Sequence, residues 1–187
     1  MPPDQAVGRS GPLEQLASAG DALLGTLPPA ARFILRGRAP VVAAAAAAFG
    51  AALPQQACRA TVAGDRAALW LGPDEWLLLA PDAEGAALGI ALEQAMKGLP
   101  HALADVSHRQ VGIAVAGQRA ASVLNAGCPL DLDPSTFPLG MCTRTVLAKT
   151  GIVLWRTAPL AFRIEVWRSF AAYAWRFLAE ASREFRE

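Results

Sequence analysis

The sequence predicts an α+β fold of antiparallel sheets with helices packed on them. Three observations carry this. Strand-like runs meet across tight turns, as at Gly72-Pro73-Asp74 and Thr150-Gly151, instead of alternating with helices in regular βαβ units. One run, residues 76–80, is apolar at every position, so both of its faces are covered. Helical segments are interspersed among the strands, the clearest at the C-terminal end.

The first 30 residues hold Pro2, Pro3, Pro12, Pro28 and Pro29 with several glycines and read as an extended N-terminal arm, with a short helix near residues 13–24. Such an arm is either a loose tail or a strap on a partner subunit. Residues 31–187 read as a single α+β domain, or as two sheet-plus-helix modules joined near residue 100. In that span, residues 32–37 alternate as a strand, and the alanine-rich 39–52 is a helix ended by Leu53-Pro54. Strands follow at 58–62, 67–71 and 76–80, with a turn at Gly64-Asp65. A helix over 83–98 puts Leu88, Leu92, Ala95, Met96 and Leu99 on one face.

The central stretch reads as strand, glycine break, short helix and stop. Val111, Ile113 and Val115 alternate within 106–116, Gly117 breaks the strand, and 118–126 is helical. Gly127 then takes a positive φ at the helix end, and Pro129 prevents the helix resuming. A meander of strands at 142–149, 152–156 and 160–167 comes next, with Phe162, Ile164 and Val166 on one face and Arg163, Glu165 and Trp167 on the other. The last helix, 168–185, carries a core stripe of Phe170, Tyr173, Ala174, Phe177, Leu178, Ala181 and Phe185. Beside it Ala171, Trp175 and Ala179 form a strip of small residues around a tryptophan, either a docking strip for another surface or the edge of a wide core face.

Composition narrows the function. Hydrophobic residues make up 53% of the 187, largely alanine, and mean hydropathy is +0.30. Alanine-rich codon usage or a partner-covered apolar surface accounts for that. A net charge of +1 provides no field for nucleic acid or anionic membrane. The longest apolar run, 41–53, is too short to span a bilayer, and the N-terminus lacks the pattern of a secretory leader. Cysteines at 58, 128 and 142 form no paired motif and predict a reducing, cytoplasmic location.

Candidate chemistry is sparse. Ser107 and His108 are neighbours on a strand and point to opposite faces, so they make no nucleophile–base pair. His101 follows a proline, Asp131 and Asp133 sit in a turn, and no His, Cys or carboxylate set has metal-ligand spacing. Cys128 lies past a helix C-terminus, which raises a thiol's pKa and keeps it inert. No glycine-rich nucleotide motif is present. Arg36, Arg38, Arg144 and Arg168 are candidates to recognise a carboxylate. The residues thus predict no catalytic, cofactor-binding or metal site, and Ala171, Trp175 and Ala179 as interface candidates.

Five segments in order, WLGPDEWLLLAP (70–81), DVSHRQVGIAVAG (105–117), VLNAGCPLDLD (123–133), FPLGMCTRT (137–145) and FRIEVWRSFAAYAWRFL (162–178), resemble the gamma subunit of heterotetrameric sarcosine oxidase. The SGPL at Ser10 to Leu13 is similar to that family's opening, and the likeness covers roughly residues 8–185. The resemblance implies a fold similar to the folate-binding domain of aminomethyltransferases. It implies a non-catalytic subunit beside alpha, beta and delta partners, which hold FAD, FMN, NAD and tetrahydrofolate, with no cofactor on this chain. The whole enzyme oxidises sarcosine to glycine with hydrogen peroxide and formaldehyde or methylenetetrahydrofolate. No folate-binding acid carries over; Asp74, Glu75 and Asp105 match by position only. The alternative is a stand-alone folate or one-carbon binding protein, with Trp70, Trp76 and Trp155 as pocket walls.

Overall fold

The computed structural model describes residues 12, 13, 16 and 23–185. Its strands pair into two five-stranded sheets, antiparallel throughout. The first contains β1 (Leu24–Thr26), β7 (Gln110–Ala116), β10 (Ala161–Trp167), β9 (Thr150–Ala158) and β8 (Cys142–Leu147), in that spatial order. The second contains β3 (Ala60–Ala63), β4 (Arg66–Gly72), β5 (Glu75–Pro81), β2 (Ala30–Gly37) and β6 (His101–Asp105). Helices cover them: α1 (Ala39–Phe49) and α2 (Gly85–Ala95) on the second sheet, α3 (Ala120–Asn125) and α4 (Ala171–Ser182) on the first.

Alternation along the strands sets these layers. On β5, Trp76, Leu78 and Ala80 pack under α1 and α2, while Leu77 and Leu79 meet Cys142, Val153 and Trp155 of the first sheet. The run expected to be covered on both faces is therefore the middle of a helix–sheet–sheet–helix stack. On β10, Phe162, Ile164 and Val166 join α3 and α4 in the largest core, as their shared face predicts. No helix among the described residues is long and apolar enough to cross a membrane.

Several local expectations change. Most of the predicted arm and its short helix lie outside the described residues. Within the arm, Leu24–Thr26 is an edge strand on β7, and Leu13 and Leu24 are buried in the core of the first sheet. Helix α1 stops at Phe49 because Gly50 adopts φ 72° and donates its N–H to Ala46 O, closing the helix before Leu53-Pro54. Ala95 is exposed instead of facing the core. Residues 106–116 are not one strand: the chain turns through 106–109, passing from β6 in one sheet to β7 in the other. Gly117 has φ 117°, as a strand-breaking glycine should, but Gly127 has no positive φ. A Cβ at Gly127 would lie 2.6 Å from the Phe177 ring, so the glycine is there for close approach of α4.

The docking strip on the last helix is corrected as well. Ala171 (0% exposed) and Trp175 (5%) are core residues with Ala174 and Leu178, and Ala179 is half-buried against them. Phe170 (45%) and Tyr173 (39%), placed in the expected core stripe, are exposed. The apolar arc of this helix is wider than one stripe. Small Ala171 and Ala174 let the axis come close to the sheet, and Trp175 reaches past them into the core.

Candidate functional site

The polar centre of the molecule lies at the seam between the sheets. Arg32 on β2 donates from Nε to Glu165 Oε2 of β10 at 2.6 Å, and the side chains are 2% and 1% exposed. Arg163 donates from Nε to Glu165 Oε1 at 2.7 Å. Arg32 Nη1 donates to Ala30 O at 3.0 Å. A buried carboxylate between two guanidiniums is tolerable only because each charge is answered at contact distance. Opposite Glu165 stands Gly112, where a Cβ would lie 2.9 Å from Leu27 and 3.3 Å from Glu165 Oε1.

Two cavities open on either side of this cluster and share Gln110 as a wall. The first, about 410 Å³, is enclosed by the Leu27-Pro28-Pro29 linker, Arg32, Ser107, His108, Val111 and Arg168. The second, about 420 Å³, lies between Ile34 and Leu71 of one sheet and Gly151, Glu165 and Trp167 of the other, with Arg109 and Phe170 at its rim. Gln110 is 7% exposed, and among the described residues its Oε1 has no hydrogen-bond partner. A buried amide oxygen left unanswered is uncommon and calls for a donor. Arg109 stacks its guanidinium 4.9 Å from the Trp167 ring centre.

The residues singled out from the sequence do not converge. Ser107 Oγ accepts from Arg32 N–H at 2.9 Å, so it braces the crossing between sheets, and His108 is exposed. His101 Nδ1 lies 2.7 Å from Leu99 O and Nε2 3.2 Å from Glu93. The Leu99 carbonyl and then Glu93 hold its pKa above the usual histidine value, against the lowering by burial. Asp131 caps the N–H of Asp133, and Asp133 accepts from Ser135 N–H and Oγ, which lowers its pKa. Arg36 binds Asp74 at 3.2 Å and Arg144 binds Glu75, so these arginines answer acids of their own chain. Asp105 Oδ1 accepts from Ser107 N–H in the crossing turn. Cys128 is buried with Sγ 3.9 Å from Thr145 Oγ1. Trp76, its Nε1 donating to Pro54 O at 2.8 Å, packs with Trp70 below the helices, while Trp155 lies between the sheets, so the three do not wall one pocket. Among the described residues no three His, Cys, Asp or Glu side chains group as a metal site.

The family described as "Sarcosine oxidase, gamma subunit family" matches residues 36–184. The chain belongs to this family. It is 38% identical over 146 residues to sarcosine oxidase subunit gamma of Corynebacterium sp. strain P-1, covering 76% of this chain and 70% of that one. It is 37% identical over 144 residues to the Arthrobacter subunit, with the same coverage. Among solved structures, a chain of heterotetrameric sarcosine oxidase from Corynebacterium sp. U-96 superposes with a TM-score of 0.87 at 32% identity, over 95% of this chain and 96% of that chain. Aminomethyltransferase T of Bartonella henselae shares the fold, at TM-score 0.66 and 16% identity over 86% of this chain and 46% of that one. The family match takes in the lining of the second cavity except Ile34. Gln110, Trp167 and Arg109 were not found by sequence reasoning, because a single glutamine or an outward strand tryptophan carries no motif.

Proposed function

We propose that this chain is a non-catalytic, structural subunit of a heterotetrameric sarcosine oxidase. Alpha, beta and delta partners in the cytoplasm hold the FAD, FMN, NAD and tetrahydrofolate. The assembled enzyme demethylates sarcosine to glycine with release of hydrogen peroxide and formaldehyde or methylenetetrahydrofolate. The observation that carries this reading is the superposition on a chain of the Corynebacterium heterotetramer over 95% of this chain. The side chains support it. Ser107, Cys128 and Cys142 are tied into the fold, and the acids Asp74, Glu75 and Glu165 are paired with arginines.

Expression of the tagged chain in its own host tests the proposal. The expected result is recovery of flavin-bearing chains with sarcosine-dependent peroxide formation, while the chain purified alone shows no flavin absorbance and no turnover. Flavin absorbance in the pure chain, or a folded chain recovered without such partners, overturns it. In the second case, tryptophan quenching on tetrahydrofolate addition would favour the one-carbon binding alternative.

A further inference from the structure

The inner face of the first sheet extends past the edge of the second. Across it, Trp167 lies level with Gln110 on β7 and, one step beyond the Val166–Ile152 pair, with Gly151 on β9, which faces Val146 on β8. Rows nearer the middle, such as Cys142 with Trp155, are covered by the second sheet. This outer row is open except at Gln110: Trp167 is 48% exposed, Val146 44%, and Gly151 is exposed. A sheet face left to water is ordinarily polar. Here it is valine, glycine, tryptophan and a buried glutamine, and Phe170 extends the same surface at 45% exposure.

We propose that this overhang seats a segment of a partner subunit, which places an apolar side chain over Gly151 against Trp167, donates an N–H to Gln110 Oε1 and sets a carboxylate on Arg109. The proposal rests on the subunit reading above. Three features favour a protein segment. The cleft of about 420 Å³ has Gly151 in its wall, where a Cβ would meet nothing within 4 Å among the described residues. A main-chain amide answers the buried Gln110 oxygen, which no apolar ligand does. Arg109 is exposed and held over Trp167, so a cation stands beside an aromatic anchor and complements an acidic side chain.

Gly151→Leu puts an apolar side chain into the hollow, its Cβ meeting nothing within 4 Å among the described residues. Together with Trp167→Ser and Arg109→Glu it is compared with wild type by recovery of the oxidase chains from the native host. Circular dichroism and thermal unfolding check that each variant folds. Ile90→Ser, at an exposed leaf on α2, is the control. The expected result is wild-type recovery for the control and roughly thirty-fold weaker binding for Gly151→Leu and Trp167→Ser, the scale of an aromatic anchor lost. Wild-type recovery by both folded variants overturns the proposal and leaves the subunit reading standing. A wild-type chain that recovers no oxidase chains removes the subunit reading, and this proposal with it. A purified chain that dimerises and is made monomeric by Gly151→Leu overturns it in favour of a second copy on the same face.

Discussion

Cys142 turns its thiol inward, with Sγ 3.6 Å from Trp70 O. Burial pushes its pKa up to about 12, so the thiolate is scarce at any physiological pH. Cys128, 3% exposed, is shielded from reagents as well. Iodoacetamide at mildly alkaline pH is therefore expected to leave Cys128 and Cys142 unmodified in the native protein and to label both after denaturation in guanidinium, read by peptide mass spectrometry. Rapid native labelling of Cys142 would show that the seam between the sheets opens, and labelling of Cys128 that the helix layer on the first sheet does. The sequence singled out Cys128 by its place past a helix end, whereas its shielding comes from burial under the helices of the first sheet. The shielding of Cys142 depends on a second sheet contributed by distant residues.

At the scale of elements, the packing of α4 on the α3 turn depends on a glycine. Gly127 meets the Phe177 ring on one side and Ala148 N on the other, and its carbonyl accepts from Ala148 N–H at 2.8 Å. Gly127→Ala is expected to cost about 1–3 kcal/mol by overpacking. That lowers the thermal midpoint by roughly 2–4 °C per kcal/mol for a chain of this size. Phe177→Leu in the same chain should recover part of the loss, since it removes the ring that the new methyl strikes. If Gly127→Ala alone is neutral, the helix slides freely and the packing argument fails. The sequence marked this glycine through its position before Cys128-Pro129. It suggested a left-handed residue, because a helix-ending glycine and a glycine under a ring are identical in a single chain.

At the scale of the molecule, the two sheets are joined by apolar contacts and by one buried charge cluster. Removing the charge of Glu165 leaves Arg32 buried without its counter-ion. Glu165→Gln is expected to cost about 3–5 kcal/mol in thermal or urea unfolding. The loss should exceed that from Asp74→Asn, whose partner Arg36 is largely exposed. Equal effects would mean that the seam is not held by this pair. The same cluster divides the two cavities, so a softened seam should also weaken partner recovery through the Trp167 cleft.

The sequence alone determined which residues share a face. Alternation placed Phe162, Ile164 and Val166 together, and the unbroken run at 76–80 announced a strand covered on both sides; these follow from local geometry of period two. It also carried the family resemblance in five ordered segments. The tertiary structure alone decided what covers each face. Glu165, assigned to a polar face, is buried because Arg32 arrives from the other sheet, 133 residues away in sequence. Trp167, on that same face two residues further, stays exposed because the second sheet ends before reaching it. Trp175 is core instead of docking surface because the helix turns its small residues to the sheet. Burial is set by neighbours that long-range pairing brings, and a single chain's periodicity holds no information about where the covering layer stops.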